Sequence, residues 1–362
     1  MTCYITRTSS FLPGEPVDNE NIEHYLGALP GEEEIKSTVL GMNGILTRHY
    51  AQDQSLNATH DVYDMARQAV LGCVDSSDLS VPVTMLTSGT TYSPLLAPGT
   101  ASILHSRISD IPATSHPMEI SSHGGVCSSA SAALVNAIRA VSLGAHRKAL
   151  CVGVDHPSEI LKVGEIDPID DRHEHVQLRH SQWFMTVFLR FMLSDGAGAM
   201  LVQDQPSQDG VSLRVNWTHS MSFANQSELC MKLEAKTARL SQDSVILSRY
   251  LFSCGEIFLQ KALEANNDSF DDHQIVLPHL SSYFFRKKVE RSIKKLSKDP
   301  DNPLPYWTNL STAGNTGAAS IYIMLDHFVR RGGIKNGDRI LLFVPESGQF
   351  NFVMISLTAV IP

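Results

Sequence analysis

The sequence predicts an α/β protein built from two similar halves. Strand-like apolar runs alternate with helical runs along the chain, which is the pattern of an α/β architecture. The 362 residues are enough for two domains of roughly 180 residues each. A repeat with an offset close to half the chain length relates the two parts.

The elements follow from hydrophobic patterning and from turn residues. Strands are predicted over 149–154, 199–202, 274–277, 339–344 and 352–358. Helices are predicted over 63–72, 128–144, 228–263 (as one helix or two) and 316–331.

The repeat appears when residues 125–154 are aligned with residues 313–344. An offset of 188 residues places Cys127 on Asn315, and the same offset pairs the glycines at which the two helices stop, Gly144 and Gly332. Such an offset favours duplication over a chance match. It predicts an N-terminal half over 1–205 and a C-terminal half over 206–362, with the first turn of each helix facing one shared site.

Composition excludes several classes of protein. Hydrophobic residues make up 43% and charged residues 19%, so most of the chain is expected to fold. A net charge of −9 disfavours nucleic acid as a partner. Six cysteines without CxxC spacing predict neither a zinc framework nor a disulfide scaffold, and a reduced, cytoplasmic protein is expected. The longest near-apolar stretch, 183–193, is too short to span a membrane.

Cys127 is the best candidate for a nucleophile. It follows His-Gly-Gly-Val and opens a helix rich in serine and alanine. A thiol at the amino end of a helix lies in the positive end of the helix dipole, which favours the thiolate. A buried structural cysteine is the more common fate of an isolated Cys, and that interpretation is kept for the other cysteines inside helical or strand runs.

Two more residues are candidates for the same site. His279 follows the apolar run IVLP and is expected at the carboxyl edge of a strand, where α/β sites form. Asn315 lies in TAGNTG, where it could be a helix cap, but the repeat also places it opposite Cys127. The order Cys, His, Asn fits both a papain-like cysteine protease and a thiolase-type condensing enzyme. The papain motif around the cysteine is missing here.

Four segments resemble the β-ketoacyl-ACP synthase III enzymes of the thiolase superfamily. FLPGEPVDN at 11–19 resembles Y-L-P-x-x-x-V-x-N, GILTR at 44–48 resembles T-G-I-x-x-R, and DGAGA at 195–199 and GNTGAAS at 314–320 match the family's patterns. The resemblance covers nearly the whole chain.

The resemblance implies the fold, the site and the substrates. The fold would be the thiolase fold, with two pseudo-symmetric α/β halves in a five-layered αβαβα arrangement, in a homodimer. Cys127 matches the acyl-accepting cysteine, His279 the catalytic histidine and Asn315 the catalytic asparagine. Substrates would arrive as CoA or phosphopantetheine-ACP thioesters, so acyl carrier protein or acyl-CoA is the implied partner, and neither a cofactor nor a metal is needed.

The resemblance also implies a mechanism. The Cys127 thiolate would attack an acyl thioester, and the backbone amides of Cys127 and Ser347 would hold the oxyanion. His279 and Asn315 would then donate hydrogen bonds to the thioester oxygen of the second substrate, whose enolate attacks the acyl-cysteine. The product is a new C–C bond formed by Claisen condensation.

Departures from the family pattern suggest a specialised branch. The family's H-Q-A-N reads HLSS, which puts Ser282 in place of asparagine, and its C-terminal glycine triplet reads Glu346-Ser347-Gly348. The segment 183–193 could line an acyl tunnel or form a dimer contact, or it could be a plain core helix. These features resemble the ketosynthases of dialkylresorcinol biosynthesis. That resemblance implies condensation of a fatty-acid-derived β-oxoacyl thioester with an acyl or enoyl thioester, followed by closure to a dialkylcyclohexanedione.

Alternatives remain open. The chain could be an initiation ketosynthase that uses malonyl-ACP, an acyltransferase that transfers acyl groups to hydroxyl or amine acceptors, or a non-catalytic partner subunit of a heterodimeric ketosynthase. Retention of the Cys, His and Asn residues argues against the last of these.

Residues 286–298 hold seven basic residues and one acidic residue. At helical spacing, Lys287, Arg291 and Lys294 predict a basic face that docks acyl carrier protein or a CoA phosphate; a solvated surface helix is the alternative. The DDRHEH cluster at 170–175 has no metal-ligand spacing, so a solvated loop is expected there.

Overall fold

The computed structural model describes residues 1–74, 81–172 and 177–362. Its strands are β1 (Tyr4–Phe11), β2 (Val17–Asp18), β3 (Thr47–Arg48), β4 (Met85–Thr90), β5 (Glu119–Gly124), β6 (Lys148–Asp155), β7 (Gly196–Gln203), β8 (Ser212–Ser222), β9 (Met231–Leu233), β10 (Leu240–Gln242), β11 (Ile275–Pro278), β12 (Arg339–Pro345) and β13 (Asn351–Val360). Its α-helices are α1 (Ile22–Leu26), α2 (Glu33–Asn43), α3 (Val62–Val74), α4 (Thr100–Arg107), α5 (Ser129–Ser142), α6 (Pro157–Leu161), α7 (Gln182–Met192), α8 (Ser244–Ala265), α9 (Arg286–Leu296), α10 (Leu310–Ala313) and α11 (Ser320–Arg331).

The main sheet repeats one strand order. From its centre, one side runs β1-β7-β6-β4-β5 and the other runs β8-β13-β12-β11. On the first side, β1 lies beside β7, which is followed by β6 and β4. On the second side, β8 lies beside β13, which is followed by β12 and β11. The matching pairs also share direction, since β6 and β7, like β12 and β13, are antiparallel, whereas β4 and β6, like β11 and β12, are parallel. An isolated parallel bridge between Val276 and Tyr306 occupies the place of the third strand in the second half.

Helices and sheet halves form five layers, αβαβα. In β6, Ala149 and Cys151 pack in the core that contains α5 and α11, while Leu150 and Val152 pack with α3 and α4. In β13, Val353 and Ile355 join α5 and α11, while Phe352 and Met354 pack with α8. Because successive strand residues point to opposite faces, each half-sheet has helices on both sides, with α5 and α11 as the shared middle layer.

Small residues let the middle layer lie close to the sheet. A Cβ atom at Gly89 in β4 would lie 2.3 Å from the Cα of Ala130 in α5, so no side chain fits at that position.

The strand order and the five layers confirm the thiolase-like arrangement expected from the sequence. The predicted boundary between residues 205 and 206 lies in the connection from β7 to β8, and the division into two domains stays a prediction.

Most predicted elements are present, but the helix predicted over 228–263 is wrong in its first part. Residues 231–242 form the hairpin of β9 and β10, and α8 begins only at Ser244. The Asp243 carboxylate accepts the backbone N–H groups of Val245 and Ile246, which is an N-cap and fixes the start of the helix. Ala238, with a φ of 50°, turns the chain between the two strands.

No helix of the described ranges 1–74, 81–172 and 177–362 is long and apolar enough to cross a membrane. The DDRHEH cluster lies partly outside those ranges, because residues 173–175 are not described.

Candidate active site

A cavity of about 580 Å³ opens where the two halves meet. Its volume lies in the range of small-molecule sites. Cys127, His279, Asn315 and Ser347 all lie on its wall, so the structure brings together the four residues that the sequence proposes for the chemistry. Their catalytic roles stay predictions.

Cys127 is positioned by the end of β5 and the start of α5. It precedes Ser128, the N-cap residue of α5, and only 8% of it is exposed. Burial raises the pKa of the Cys127 thiol far above its ordinary value, and the carboxylates of Glu346 and Asp155 raise it further. Burial and the two carboxylates thus oppose the thiolate that the helix dipole was expected to favour.

His279 follows the last residue of β11, as predicted. Its backbone N–H donates to the carbonyl of Phe343 at 2.8 Å, which fixes it at the carboxyl edge of the parallel pair β11 and β12. The ring is 5% exposed, and Nε2 has no hydrogen-bond partner among the described residues. Burial lowers the pKa of His279 to about 4, so the imidazole is neutral at physiological pH and can exchange hydrogen bonds with a substrate.

Asn315 is held by the end of α7 and by its own turn. Its backbone N–H donates to the carbonyl of Met192 at 3.2 Å, and its carbonyl accepts from Ser194 at 2.9 Å. The side-chain Oδ1 accepts the N–H of Gly317 at 3.1 Å. That bond leaves the Nδ2 amide group as the hydrogen-bond donor of this side chain.

Gly317 and Asp155 fix the turn that carries Asn315. Gly317 has a φ of +54°, and a Cβ atom there would lie 2.1 Å from Oδ2 of Asp155, so glycine is required. The Asp155 carboxylate accepts the N–H groups of Thr91 and Ala318, each at 2.6 Å. It also lies on the cavity wall, and burial raises its pKa to about 6.

Sequence reasoning missed Asp155, although a signal was present. A carboxylate directly after a buried strand lies at the carboxyl edge of the sheet, where α/β sites form. The hairpin residues on the cavity wall, Met231, Leu240 and Gln242, carried no such signal.

The two positions at which the sequence departs from the family pattern differ in their relation to the cavity. Ser282 is fully buried, and its Oγ accepts the N–H of Phe284 at 3.2 Å, which caps the 3₁₀ turn leading into α9. The residue on the cavity wall is its neighbour Ser281. In the turn after β12, Ser347 lies on the wall, where its backbone amide could serve as the predicted oxyanion donor, and Glu346 lies behind it.

The helix predicted over 183–193 is α7, and it divides its side chains between cavity and core. Phe184, Met185 and Phe188 line the cavity, whereas Leu189 and Phe191 are buried in the core. The core interpretation therefore holds for one face of this helix, and the use of the cavity-lining face as an acyl tunnel stays a prediction. Its role as a dimer contact stays a prediction.

The basic segment forms α9, which directly follows the cavity-lining residues Phe284 and Phe285. Lys287, Arg291 and Lys294 are exposed, so the basic face is solvated. Val289, Ile293 and Leu296 of the same helix pack on the core.

Comparison with known proteins gives consistent matches. Residues 263–349 match the family model "3-Oxoacyl-[acyl-carrier-protein (ACP)] synthase III C terminal". The chain is 26% identical over 353 residues to the Beta-ketoacyl-[acyl-carrier-protein] synthase III of Clostridioides difficile (strain 630), and the match covers 93% of each protein.

Two solved structures share the fold. The chain is 21% identical to AbyA1, a tetronic acid condensing enzyme. The superposition has a TM-score of 0.77 and covers 98% of this chain and 99% of that one. It is 18% identical to the FabH 3-oxoacyl-(acyl carrier protein) synthase III from Pseudomonas aeruginosa PAO1, with a TM-score of 0.73 and full coverage of both chains. By these matches the chain is similar in sequence to β-ketoacyl-ACP synthase III condensing enzymes, and it shares the thiolase fold of the solved structures.

Proposed function

We propose that this enzyme joins two fatty-acid-derived acyl chains by a Claisen condensation and forms a dialkylcyclohexanedione or dialkylresorcinol-type product. The observation that carries the proposal is the placement of Cys127, His279 and Asn315 on the wall of one large, mainly apolar cavity. A nucleophile, a neutral imidazole and an amide donor beside an apolar chamber suit long acyl thioesters.

In the first step, the Cys127 sulfur attacks the carbonyl of an acyl thioester. An acyl–S(Cys127) bond forms and the bond to the carrier thiol breaks, while the proton of Cys127 ends on the departing thiol. The amides of Cys127 and Ser347 hold the tetrahedral oxyanion during this transfer.

In the second step, His279 and Asn315 donate hydrogen bonds to the thioester oxygen of a β-oxoacyl substrate. Loss of a proton from the carbon beside that carbonyl gives an enolate, which attacks the acyl–Cys127 carbonyl. A C–C bond forms, the C–S bond breaks and Cys127 regains its proton. Where the chain on Cys127 is an enoyl group, the γ-carbon of the β-oxoacyl unit then adds to the β-carbon of the enoyl group. The C=C π bond breaks, the proton lost by the γ-carbon ends on the α-carbon of the former enoyl group, and a six-membered dione ring closes.

A second chamber supports the use of two chains. A smaller apolar space of about 80 Å³ shares His279, Ser281 and Phe285 with the main cavity. Its remaining walls include Phe252 and Phe352, from α8 and β13. His279 therefore borders two apolar spaces, as a residue between two acyl substrates would.

We also propose that α9 receives the acyl carrier. Its exposed Lys287, Arg291 and Lys294 lie on the helix that follows the cavity wall, and an acidic carrier protein or a CoA phosphate is attracted to such a face. The carrier would then sit near the cavity to which it delivers its thioester.

The proposed assembly is a homodimer in the cytoplasm. β5 is the outermost strand of its side of the sheet, and most of its residues are exposed. An uncovered edge strand readily pairs with another chain, so two copies of β5 could join the sheets of two subunits. Cys3, Cys127, Cys151, Cys230 and Cys254 form no disulfide, which suits a reducing compartment.

Acyl transfer to Cys127 tests the proposal directly. The protein is incubated with acyl-CoA and acyl-ACP of several chain lengths, and the adduct is located by intact and peptide mass spectrometry. We expect a thioester on Cys127 that is absent from C127A and present in C73A, in which a buried cysteine of α3 is replaced instead.

The second substrate distinguishes the alternatives. Addition of a β-oxoacyl thioester is expected to release a cyclic dione. Straight-chain elongation with malonyl-ACP and release of CO₂ would instead assign an initiation ketosynthase, and transfer to an alcohol or amine would assign an acyltransferase. Absence of any acyl adduct on Cys127 would refute the condensing mechanism.

A further inference from the structure

Glu346 lies behind the nucleophile in the turn that joins β12 to β13. Only 8% of the residue is exposed. The hydroxyl of Ser128, which lies between Cys127 and the first residue of α5, donates to Oε2 of Glu346, and Nδ2 of Asn351 donates to the same hydroxyl at 2.8 Å. A carboxyl group from the second half is thus tied to the residue that follows Cys127, directly before α5.

The turn itself has a conformation that needs support. Phe350 has a φ of 57°, and a non-glycine residue in that region costs about 1–3 kcal/mol. The backbone N–H of Glu346 donates to Asn351 at 2.9 Å, and the Gly348 carbonyl accepts from Cys230 at 2.9 Å. The glycine triplet of the family pattern is replaced here by a turn that polar contacts hold in place.

We propose that Glu346 is a positioning residue for Cys127: its carboxylate ties the turn bearing Ser347 to the amino end of α5 and places a negative charge beside the thiol. The inference rests on the proposed role of Cys127 as the nucleophile. It assigns a function to a residue at which the chain departs from its family.

The charge has a defined chemical effect. A nearby carboxylate disfavours the thiolate, and Glu346 is the larger of two carboxylate contributions that raise the pKa of Cys127, the other being Asp155. The remaining titratable groups on the cavity wall are the imidazole of His279, the phenol of Tyr92 from the loop after β4, and Arg179 and His180 from the 3₁₀ turn before α7. The free enzyme would therefore keep its thiol neutral and unreactive until a thioester is bound.

The test measures thiol reactivity without any acyl donor. Rates of alkylation of Cys127 by iodoacetamide are measured from pH 6.5 to 9.5 by peptide mass spectrometry, in the wild type and in E346Q. Glutamine can still accept the Ser128 hydrogen bond but carries no charge. We expect alkylation of Cys127 at pH 7.5 to be roughly three- to tenfold faster in E346Q, because removal of the carboxylate lowers the pKa of the thiol.

Two further variants distinguish the loss of the Glu346 charge from a loosening of the turn that contains it. S128A removes the hydroxyl but keeps the Glu346 carboxyl group, and its alkylation profile should stay closer to that of the wild type than to that of E346Q. E264Q removes an exposed carboxylate of α8 and controls for net charge. Cys254, which lies in α8 away from the turn, is the internal reference in each digest.

The outcomes are distinct. Superimposable profiles of E346Q and the wild type would overturn the inference, as would an equal acceleration in S128A or at Cys254. A faster reaction confined to Cys127 in E346Q would support it. Failure of acyl transfer to Cys127 in the wild type would refute the proposed function but would leave this alkylation result unaffected.

Discussion

At the scale of single residues, burial decides the charge of both central groups. It raises the pKa of the Cys127 thiol and lowers the pKa of the His279 imidazole to about 4. Desolvation penalises the charged form in each case. The pair is thus neutral in the free enzyme, rather than the thiolate–imidazolium ion pair of a papain-like protease.

The pKa of His279 predicts a dependence of stability on pH. The folded value of about 4 lies below the ordinary 6.5, so the unfolded chain binds a proton in this window and the folded chain does not. Stability is then lost as the pH falls from 6.5 towards 4 and is unaffected by this group above 6.5. We expect His279 to account for about 2.5 kcal/mol of the loss between pH 7 and pH 4.5.

Urea unfolding of H279Q at the two pH values measures this contribution. The variant should lose less stability on acidification than the wild type, whereas H24Q, which alters an exposed histidine, should behave like the wild type. In the same preparation, H279Q should still accept an acyl group on Cys127 but should condense roughly 10²- to 10³-fold more slowly. An identical acid response in H279Q and the wild type would contradict the buried, neutral imidazole.

The sequence allowed the residues of the site to be predicted better than their electrostatics. The order of Cys127, His279 and Asn315 and the motifs around them were sufficient to bring the three to one site. The carboxylates that act on Cys127 come from the ends of β6 and β12, which are far from it in the chain. Their effect depends on three-dimensional proximity, which no local pattern encodes.

At the scale of elements, α9 has an apolar face and a basic face. Its apolar residues pack on the core, while its basic residues are solvated, so substitution of the basic residues should not disturb packing. We expect the triple charge reversal K287E/R291E/K294E to raise the KM for acyl groups on carrier protein severalfold and to leave the KM for short thioester mimics unchanged.

A matched triple variant controls for the change in net charge. K236E/K261E/K335E reverses three exposed lysines outside α9 and should leave both KM values near those of the wild type. Higher salt should reduce the difference between the two triple variants, because it screens surface charges. Equal changes for both kinds of substrate would remove the docking assignment.

The elements predicted correctly are those with strong periodicity. Three of these elements are buried on most sides and have a mainly apolar composition, namely the strands over 149–154 and 339–344 and the helix α5. The hairpin of β9 and β10 was missed because its two strands are short and largely polar, so that tertiary contact with the cavity and with the turn after β12 determines its conformation. The N-cap residue Asp243 marks the position at which a helix start could have been predicted.

At the scale of the whole molecule, the duplication predicted from one repeat is visible in the order of the strands. The sequence repeat related one helix and its following strand in each half, and the structure extends the correspondence to the order and direction of the other strands. The third strand of the second half is reduced to the bridge at Tyr306. No pattern in the sequence could predict this reduction, because the segment around Tyr306 has no apolar periodicity of its own.

The uncovered edge at β5 predicts an assembly state. We expect light scattering after size-exclusion chromatography to give a mass of twice 39.8 kDa. I120K places a charge on the exposed edge, where Ile120 is 41% exposed, and should shift the protein towards monomer. The control I257K, which alters a similarly exposed isoleucine of α8, should remain dimeric. A monomeric wild type, or equal dissociation of both variants, would contradict pairing through β5.

The turn that ties Glu346 to Ser128 also has a consequence for biosynthesis. A ribosome completes the half with Cys127 long before it reaches His279, Asn315 and Ser347. The cysteine therefore emerges before the residues that line the cavity with it, and α5 then lacks the α11 contacts that complete the middle layer. The cavity wall can assemble only after the second half has been made.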